Sequence, residues 1–285
     1  MAQSKSEIQS LLAGVNSSGP RHRFGQNFMI DQNLVRLIAD AGELTPKDLC
    51  LEIGPGTGTL TDELLARAGR VTAVEIDRDL AVLLRTRFGG DPRFTLIEGD
   101  ALANKHTLNS ELLAAIAGAR AAGLHPVLVA NLPYNIASPL VIELLIAGVD
   151  RLAFTVQKEV ADRLKARAGG DDYGPLSVMA QMLAEVEVLR TLPPQAFWPP
   201  PKIDSALVRM RRRDRLGGES PAFSVFVHKV FSYRRKTLRK ALEQSGYESA
   251  RVLSETGLDG TLRPEVFTPE QFRAMFDVVS KIAQV

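Results

Sequence analysis

Hydrophobic and polar positions change period along this chain in a regular way. From residue 31 to about 165, stretches with apolar positions three and four apart alternate with short, β-branched apolar runs. The helical stretches are 31–41, 58–68, 78–87, 108–121, 138–147 and 158–168. The apolar runs are Leu49–Ile53, Val71–Ile76, Phe94–Ile97, Val127–Ala130 and Leu152–Val156. Apolar runs spaced by helices predict a parallel sheet covered on both faces. A helix near 174–184 is followed by two further strand-like runs, Glu185–Leu192 and Ser205–Arg211, with Pro193, Pro194 and Pro199–Pro201 between them. Two strands with no helix between them are expected to run antiparallel. The predicted fold is therefore α/β: a Rossmann-like, seven-stranded, mostly parallel sheet with an antiparallel end.

The remaining segments differ in character. Residues 1–20 are polar and end in the breaker cluster Asn16-Ser17-Ser18-Gly19-Pro20, so they are expected to form a flexible tail. Residues 213–221 have linker composition. Beyond them the pattern is helical, over 221–232, 234–245, 248–256 and 269–281, with breaks at Gly246, Gly257 and Pro264. The expected domains are 21–212, which carries the sheet, and a small all-helical one, 222–285. No internal repeat and no low-complexity tract is visible.

Composition adds constraints. The chain has 285 residues, 45% hydrophobic and 24% charged, ordinary values for a soluble globular protein. Its one cysteine, Cys50, excludes an intramolecular disulfide framework and an all-cysteine zinc site; with no signal peptide, a cytosolic setting is expected. No apolar stretch approaches the ~20 residues that span a bilayer. His22, His106, His125 and His228 lack metal-ligand spacing, and no metal is expected. The net charge of +2 conceals an asymmetry: residues 191–285 hold 16 Lys and Arg against 10 Asp and Glu, leaving 19 basic and 23 acidic residues in 1–190. On charge alone, polyanion contact and a solvated helical surface fit equally well.

The chemistry-bearing positions sit at the ends of the expected strands. Leu49–Ile53 runs into Gly54-Pro55-Gly56-Thr57-Gly58-Thr59, a strand, glycine turn and helix start. Glycines let a ligand approach the backbone, and the helix start presents free N–H groups. Gly-x-Gly-x-Gly is neither the dinucleotide fingerprint nor a phosphate-binding P-loop. Glu75 ends the second strand, 21 residues after Gly54, where an acid can accept from both ribose hydroxyls; Ile76 follows it. Asp100 ends the third, before Ala101, where an acid can accept from an adenine amine. Carboxylates in series at successive strand ends point to an adenosine without phosphates. The fourth strand ends in Asn131-Leu132-Pro133-Tyr134. The Asn131 side-chain oxygen and the Leu132 carbonyl are suited to accept from an exocyclic amine, Pro133 biases Leu132 to an extended conformation, and Tyr134 offers a stacking face worth ~1–3 kcal/mol per base.

These motifs together resemble the ribosomal RNA adenine N6,N6-dimethyltransferase family, within the class I S-adenosylmethionine-dependent methyltransferases. The resemblance spans nearly the whole chain. It includes Phe24-Gly25-Gln26-Asn27-Phe28, Glu52–Thr61, Asn131–Tyr134, Gln157–Val160, Tyr173–Val178 and Phe197-Trp198-Pro199-Pro200-Pro201-Lys202-Ile203-Asp204-Ser205-Ala206. It implies S-adenosylmethionine as cofactor, S-adenosylhomocysteine as product, and two adjacent adenosines of the 3′-terminal hairpin loop of 16S rRNA as target. The substrate implied is the immature small subunit, the enzyme being a monomer when free. Carried over by position, Asn27 and Met29 (Met where the family commonly has Leu) contact the methionine part of the cofactor, with the cofactor-binding Gln26 nearby, and Gly54 and Gly56 contact it through backbone. Glu75 lies at the ribose and Asp100 at the adenine amine, with Ile76 and Ala101 as further cofactor contacts, and Asn131 lies between methyl donor and amine. Phe197 becomes a second stacking face opposite Tyr134. A large-subunit branch shares Gln-Asn-Phe and Asn-x-Pro-Tyr; Tyr173–Val178 and Phe197–Ala206 favour the small-subunit branch. A ribosome-assembly role beside catalysis stays open.

With the resemblance in hand, the charge asymmetry reads as an RNA-facing surface. Lys229, Arg234, Arg235, Lys236, Arg239 and Lys240 lie in a stretch without acids between Glu219 and Glu243, and Tyr233–Lys236 is expected to open a helix. Arg211, Arg212, Arg213 and Arg215 add charge at the linker, and Arg21 and Arg23 near the start of the chain.

Overall fold

The computed structural model describes residues 3–15, 19–21, 24–104 and 107–282, so Asn16, Ser17, Ser18, His22, Arg23 and His106 lie outside the described residues. The chain forms two compact units, residues 1–161 with 187–212, and 162–186 with 213–285. The second unit thus takes in 162–186, which the sequence reading assigned to the sheet domain.

In the first unit the elements run α1 (Lys5–Val15), β1 (Phe28–Met29), α2 (Gln32–Ala41), β2 (Asp48–Ile53), α3 (Thr59–Leu65), β3 (Arg70–Glu75), α4 (Arg78–Phe88) and β4 (Phe94–Glu98). There follow β5 (Leu102–Asn104), β6 (Thr107–Leu108), α5 (Ser110–Ala121), β7 (His125–Asn131), α6 (Ala137–Ile146), β8 (Arg151–Gln157) and α7 (Lys158–Lys165), whose last turn enters the second unit. After α8 (Pro175–Leu183) in the second unit come β9 (Ala184–Leu192), β10 (Phe197–Trp198) and β11 (Ser205–Arg212). The seven-stranded sheet has the order β4-β3-β2-β7-β8-β11-β9. Its first five strands are parallel, and β11 runs antiparallel to β8, with Leu207 opposite Thr155. Every residue of β2 is buried, whereas β4 and β9, at the two edges, mix buried and exposed positions. Central strands covered on both faces read as continuous apolar runs, and this is why β2, β3, β7 and β8 were visible in the sequence.

The strand order reverses between β2 and β7, a topological switch point where the carboxyl ends of neighbouring strands splay open. Side-chain caps set where helices leave these ends. Asp31 accepts from the backbone N–H of Asn33 and Leu34 at the start of α2, and Asp77 accepts from that of Asp79 at the start of α4.

The expected flexible tail is instead the helix α1. Ile8 and Leu12 are buried against Phe28, Leu80 and Leu83. The Gln3 amide donates to the Thr57 carbonyl at 3.2 Å, and the Thr57 hydroxyl donates to Gln3 Oε1 at 2.6 Å. Apolar residues at 8, 11, 12 and 15 carry helical spacing, a signal that the polar composition of the segment obscured.

The second unit is helical: α8, then α9 (Ser220–Ser232), α10 (Leu238–Gln244), α11 (Ser249–Thr256) and α12 (Pro269–Ile282). Its core is aromatic, built from Phe223, Phe226, Phe231, Phe272 and Phe276. The Tyr173–Val178 motif is a structural device of this unit. The Tyr173 hydroxyl donates to the Phe267 carbonyl at 2.8 Å, and Pro175 opens α8. The Ser177 hydroxyl accepts from the Gly174 N–H and donates to the Arg163 carbonyl. The expected linker is partly structured: Gly217–Glu219 form a 3₁₀ turn, and Ser220 already belongs to α9. Tyr233–Arg235 form a turn between α9 and α10 rather than a helix start, because α10 begins only after Thr237. Among the described residues, no helix is long and apolar enough to cross a membrane.

Candidate active site

A cavity of 260 Å³ opens at the switch point, walled by the ends of β2, β3 and β7, the glycine turn, the segment Phe24–Met29, and Gly99–Ala101. The turn owes its path to glycines at positive φ: Gly54 at +69° and Gly56 at +62°. A β-carbon on Gly54 would lie 3.2 Å from the Pro133 ring, and one on Gly56 would lie 3.0 Å from the Phe28 ring. A side chain at either position would therefore be strained by the positive φ and would push its neighbouring wall back by a few tenths of an ångström.

Two buried carboxyls face this turn. Glu75 Oε1 accepts from the Asp77 N–H at 2.9 Å and Oε2 from the Gly56 N–H at 3.3 Å, which ties the end of β3 to the glycine turn. Burial pushes the Glu75 carboxyl up to about 7, against these backbone hydrogen bonds. Glu52, at the end of β2, accepts from the Thr61 hydroxyl at 2.6 Å, and burial pushes it up to about 8. Beyond β4, Asp100 accepts from the Leu102 N–H at 3.0 Å through Oδ1. Ile76, 43% exposed although large and apolar, and the buried Ala101 add apolar surface to the same wall.

The other wall is polar. The Asn131 Nδ2 donates to the Asn27 carbonyl at 2.8 Å, and its Oδ1 accepts a hydrogen bond from the Thr155 hydroxyl. The Tyr134 hydroxyl lies 2.6 Å from the Ser205 hydroxyl, which pins the half-buried ring beside Asn131, Leu132 and Pro133. Gln26 lines the cavity, but its amide is committed to structure: Oε1 accepts from the Arg21 N–H at 2.8 Å and Nε2 donates to Asp77 at 2.9 Å. Asn27 and Met29 also line the cavity. Among the described residues there is no cluster of His, Cys, Asp and Glu able to hold a metal ion.

The cavity thus gathers Gln26, Asn27, Met29, Gly54, Gly56, Glu75, Ile76, Asp100, Ala101 and Asn131–Tyr134. It does not gather Phe197. That ring is 1% exposed and belongs to the hydrophobic core, because β10 pairs with β1 in a register that sets Phe197 opposite Met29 and turns the ring inward. The expected second stacking face is therefore corrected to a core residue in this structure. The site also includes residues to which no role was assigned from sequence: Phe24, Phe28 and Glu52 in the walls, and Thr155 and Ser205 behind Asn131 and Tyr134. Phe24, Phe28 and Glu52 stood inside quoted motifs. Thr155 carried no signal, since a threonine in a buried strand is unremarkable until its neighbour is known.

The expected cationic surface divides. In the first unit, Arg211 pairs with Glu43 at 2.5 Å and Arg212 donates to the Leu145 carbonyl at 3.0 Å; Arg21 pairs with Asp77 at 2.7 Å and with Asp79. In the second unit, Arg213 pairs with Glu185 and Arg215 with Glu270. These arginines form ion pairs and tethers within the protein. In the same unit Lys229, Arg234, Arg235, Lys236, Arg239 and Lys240 are all exposed, and none of them has a carboxylate partner among the described residues.

A Rossmann-like sheet with a glycine turn, strand-end carboxylates and an Asn-Leu-Pro-Tyr corner defines a methyltransferase domain. The chain matches the family described as ribosomal RNA adenine dimethylase over residues 18–281, and it belongs to that family of enzymes. It is 43% identical over 268 residues, 92% of each chain, to the ribosomal RNA small subunit methyltransferase A of Magnetococcus marinus. It is 40% identical to the protein of that name from Moorella thermoacetica, covering 93% of this chain and 94% of that one. Among solved structures, it is similar to the 23S rRNA methyltransferase ErmE, with 30% identity, a TM-score of 0.62, and coverage of 89% of this chain and all of the other. A dimethyladenosine transferase from Plasmodium falciparum, 23% identical, shares the fold with a TM-score of 0.71 over 90% of this chain and 98% of that one.

Proposed function

We propose that this enzyme dimethylates the N6 amines of two adjacent adenosines in the 3′-terminal hairpin loop of 16S rRNA. In this reading it acts in the cytoplasm, as a monomer, on the immature small subunit. S-adenosylmethionine, when bound, supplies a methyl group activated by its sulfonium and leaves as S-adenosylhomocysteine. The protein's part is to bind, orient and polarise. Glu75 accepts from the ribose hydroxyls, Asp100 accepts from the adenine amine, and Ile76 and Ala101 pack the base. Asn27 and Met29 face the methionine portion.

At the target, the lone pair of an exocyclic adenine amine is delocalised into the ring. Asn131 Oδ1 and the Leu132 carbonyl accept its N–H bonds and favour a pyramidal nitrogen whose lone pair is free to attack. Tyr134 stacks on the base, which must leave its own helix to reach this corner. The proton leaves to water after transfer, so no strong general base is needed. The observation that carries the reading is the Asn131 amide, tied at both ends at the rim of a cavity that already holds the strand-end carboxylates.

The small-subunit target rests on relatives of that name at 40–43% identity. The test supplies labelled S-adenosylmethionine with unmethylated small subunits, and separately with large-subunit RNA, followed by nuclease digestion. N6,N6-dimethyladenosine from small subunits is the expected product. Its absence there, or its appearance mainly in large-subunit RNA, overturns the proposal.

A further inference from the structure

We infer that Thr155 is a positioning residue for methyl transfer: its hydroxyl holds the Asn131 amide with the carbonyl oxygen toward the substrate amine. The inference deepens the reading of Asn131 above and rests on it. Asn131 ends β7 and Thr155 stands directly beside it in β8, fully buried. An asparagine amide presents two donors at one end and two acceptor lone pairs at the other, so its value at an amine site depends on which end faces the cavity.

The neighbours settle that orientation by chemistry. The Asn27 carbonyl can only accept, so it takes the Nδ2 end, at 2.8 Å. The Thr155 hydroxyl then meets the oxygen end and must donate to it. One lone pair of Oδ1 is committed to Thr155 and the other is left for an N–H of the substrate. Without the hydroxyl, the oxygen end loses its fixed neighbour, and the amide keeps only the Asn27 tether. Misplacement by ~1 Å of an acceptor aimed at a reacting nitrogen lowers the rate of the chemical step more than it lowers cofactor affinity. Threonine is also suited to the place sterically, since its β-branched side chain packs in a central strand where valine would pack equally well.

That equivalence supplies the experiment. Thr155→Val keeps shape and removes the hydroxyl; Thr155→Ser keeps the hydroxyl and removes a methyl. Both are assayed as full-length enzymes on unmethylated small subunits with labelled S-adenosylmethionine, beside Asn131→Ala. Thr155→Val is expected to lower kcat about tenfold with KM for S-adenosylmethionine within about twofold, and Thr155→Ser to stay within about threefold of the parent kcat. Thermal midpoints, measured in parallel, are expected to fall more for Ser than for Val, the opposite order to the activities. Parent-level kcat in Thr155→Val overturns the inference, and so does a Ser variant as slow as Val with an equal midpoint. If Asn131→Ala itself remains active, the reading of the corner falls and this inference with it. If Asn131→Ala is inactive while Thr155→Val is unaffected, only the role of Thr155 falls.

Discussion

Glu52 and Glu75 titrate far above an ordinary carboxyl, and the sign of their effect is definite. Burial pushes Glu52 to about 8 and Glu75 to about 7, so the folded protein holds protons that the unfolded chain releases near 4.5. This contribution to stability is fully present below about pH 4.5 and is lost as pH rises through about 7 and 8. The thermal midpoint of the free enzyme should therefore decline between pH 6 and 8.5, and Glu52→Gln should flatten that decline. An identical slope in the variant refutes the assignment. Ligand binding works in the reverse direction. Ribose hydroxyls donating to Glu75 favour its ionised form, so S-adenosylmethionine should bind more tightly as pH rises from 6 to 8 and should release protons on binding. Calorimetry in two buffers of different ionisation enthalpy reads that release directly; equal heats in both would contradict it. Gly54 supplies a steric counterpart. Gly54→Ala places a β-carbon at φ +69° and 3.2 Å from Pro133, a conformation costing about 1–2 kcal/mol before any clash. Cofactor affinity should fall at least tenfold in equilibrium dialysis, and affinity at the parent level would show that the turn yields.

At the scale of elements, α1 offers the clearest test. It is held by Ile8 and Leu12 against α4 and Phe28, and its first residues reach Thr57 in the glycine turn. The single tryptophan, Trp198, packs on the same cluster, 6.3 Å from Phe28 between ring centroids and with Lys5 Nζ 5.9 Å from its ring. Ile8→Asp buries a charge with no partner and should undock the helix. Trp198 emission should shift to the red and residues 3–15 should become sensitive to protease. Unchanged emission would mean that the helix does not depend on this contact. The central sheet strands were legible in the sequence because each is buried on both faces, and the glycine turn and strand-end acids because each follows a strand. What escaped depended on pairing between distant segments. Phe197 faces the core only because two residues of β10 lie beside two of β1. Thr155 matters only because β8 lies beside β7. Short pairings and cross-strand neighbours leave no period in a sequence.

For the whole molecule, the charge asymmetry resolves into paired and unpaired cations. Arg209 and Arg211 share Glu43, and Arg151 pairs with the buried Asp48, so these charges are largely neutralised in place. The cations from Lys229 to Lys240 face solvent with no acid in that stretch, and Arg239 and Lys240 occupy the first turn of α10, where the helix dipole disfavours positive charge. Such an arrangement lowers stability slightly and raises the local potential, which favours contact with phosphates. Neutralising Arg234, Arg235 and Lys236 together should therefore weaken binding to small subunits and reduce the slope of log K against log salt by about 2, as each lost phosphate contact removes roughly 0.7–0.9. Affinity for S-adenosylmethionine should stay within about twofold, because the described residues that line the cofactor cavity all belong to the first unit. Arg211→Ala makes the control: its guanidinium already serves Glu43, so the salt slope should not move. An unchanged slope in the triple variant, or an equal change in Arg211→Ala, would place the RNA-facing surface elsewhere on the molecule.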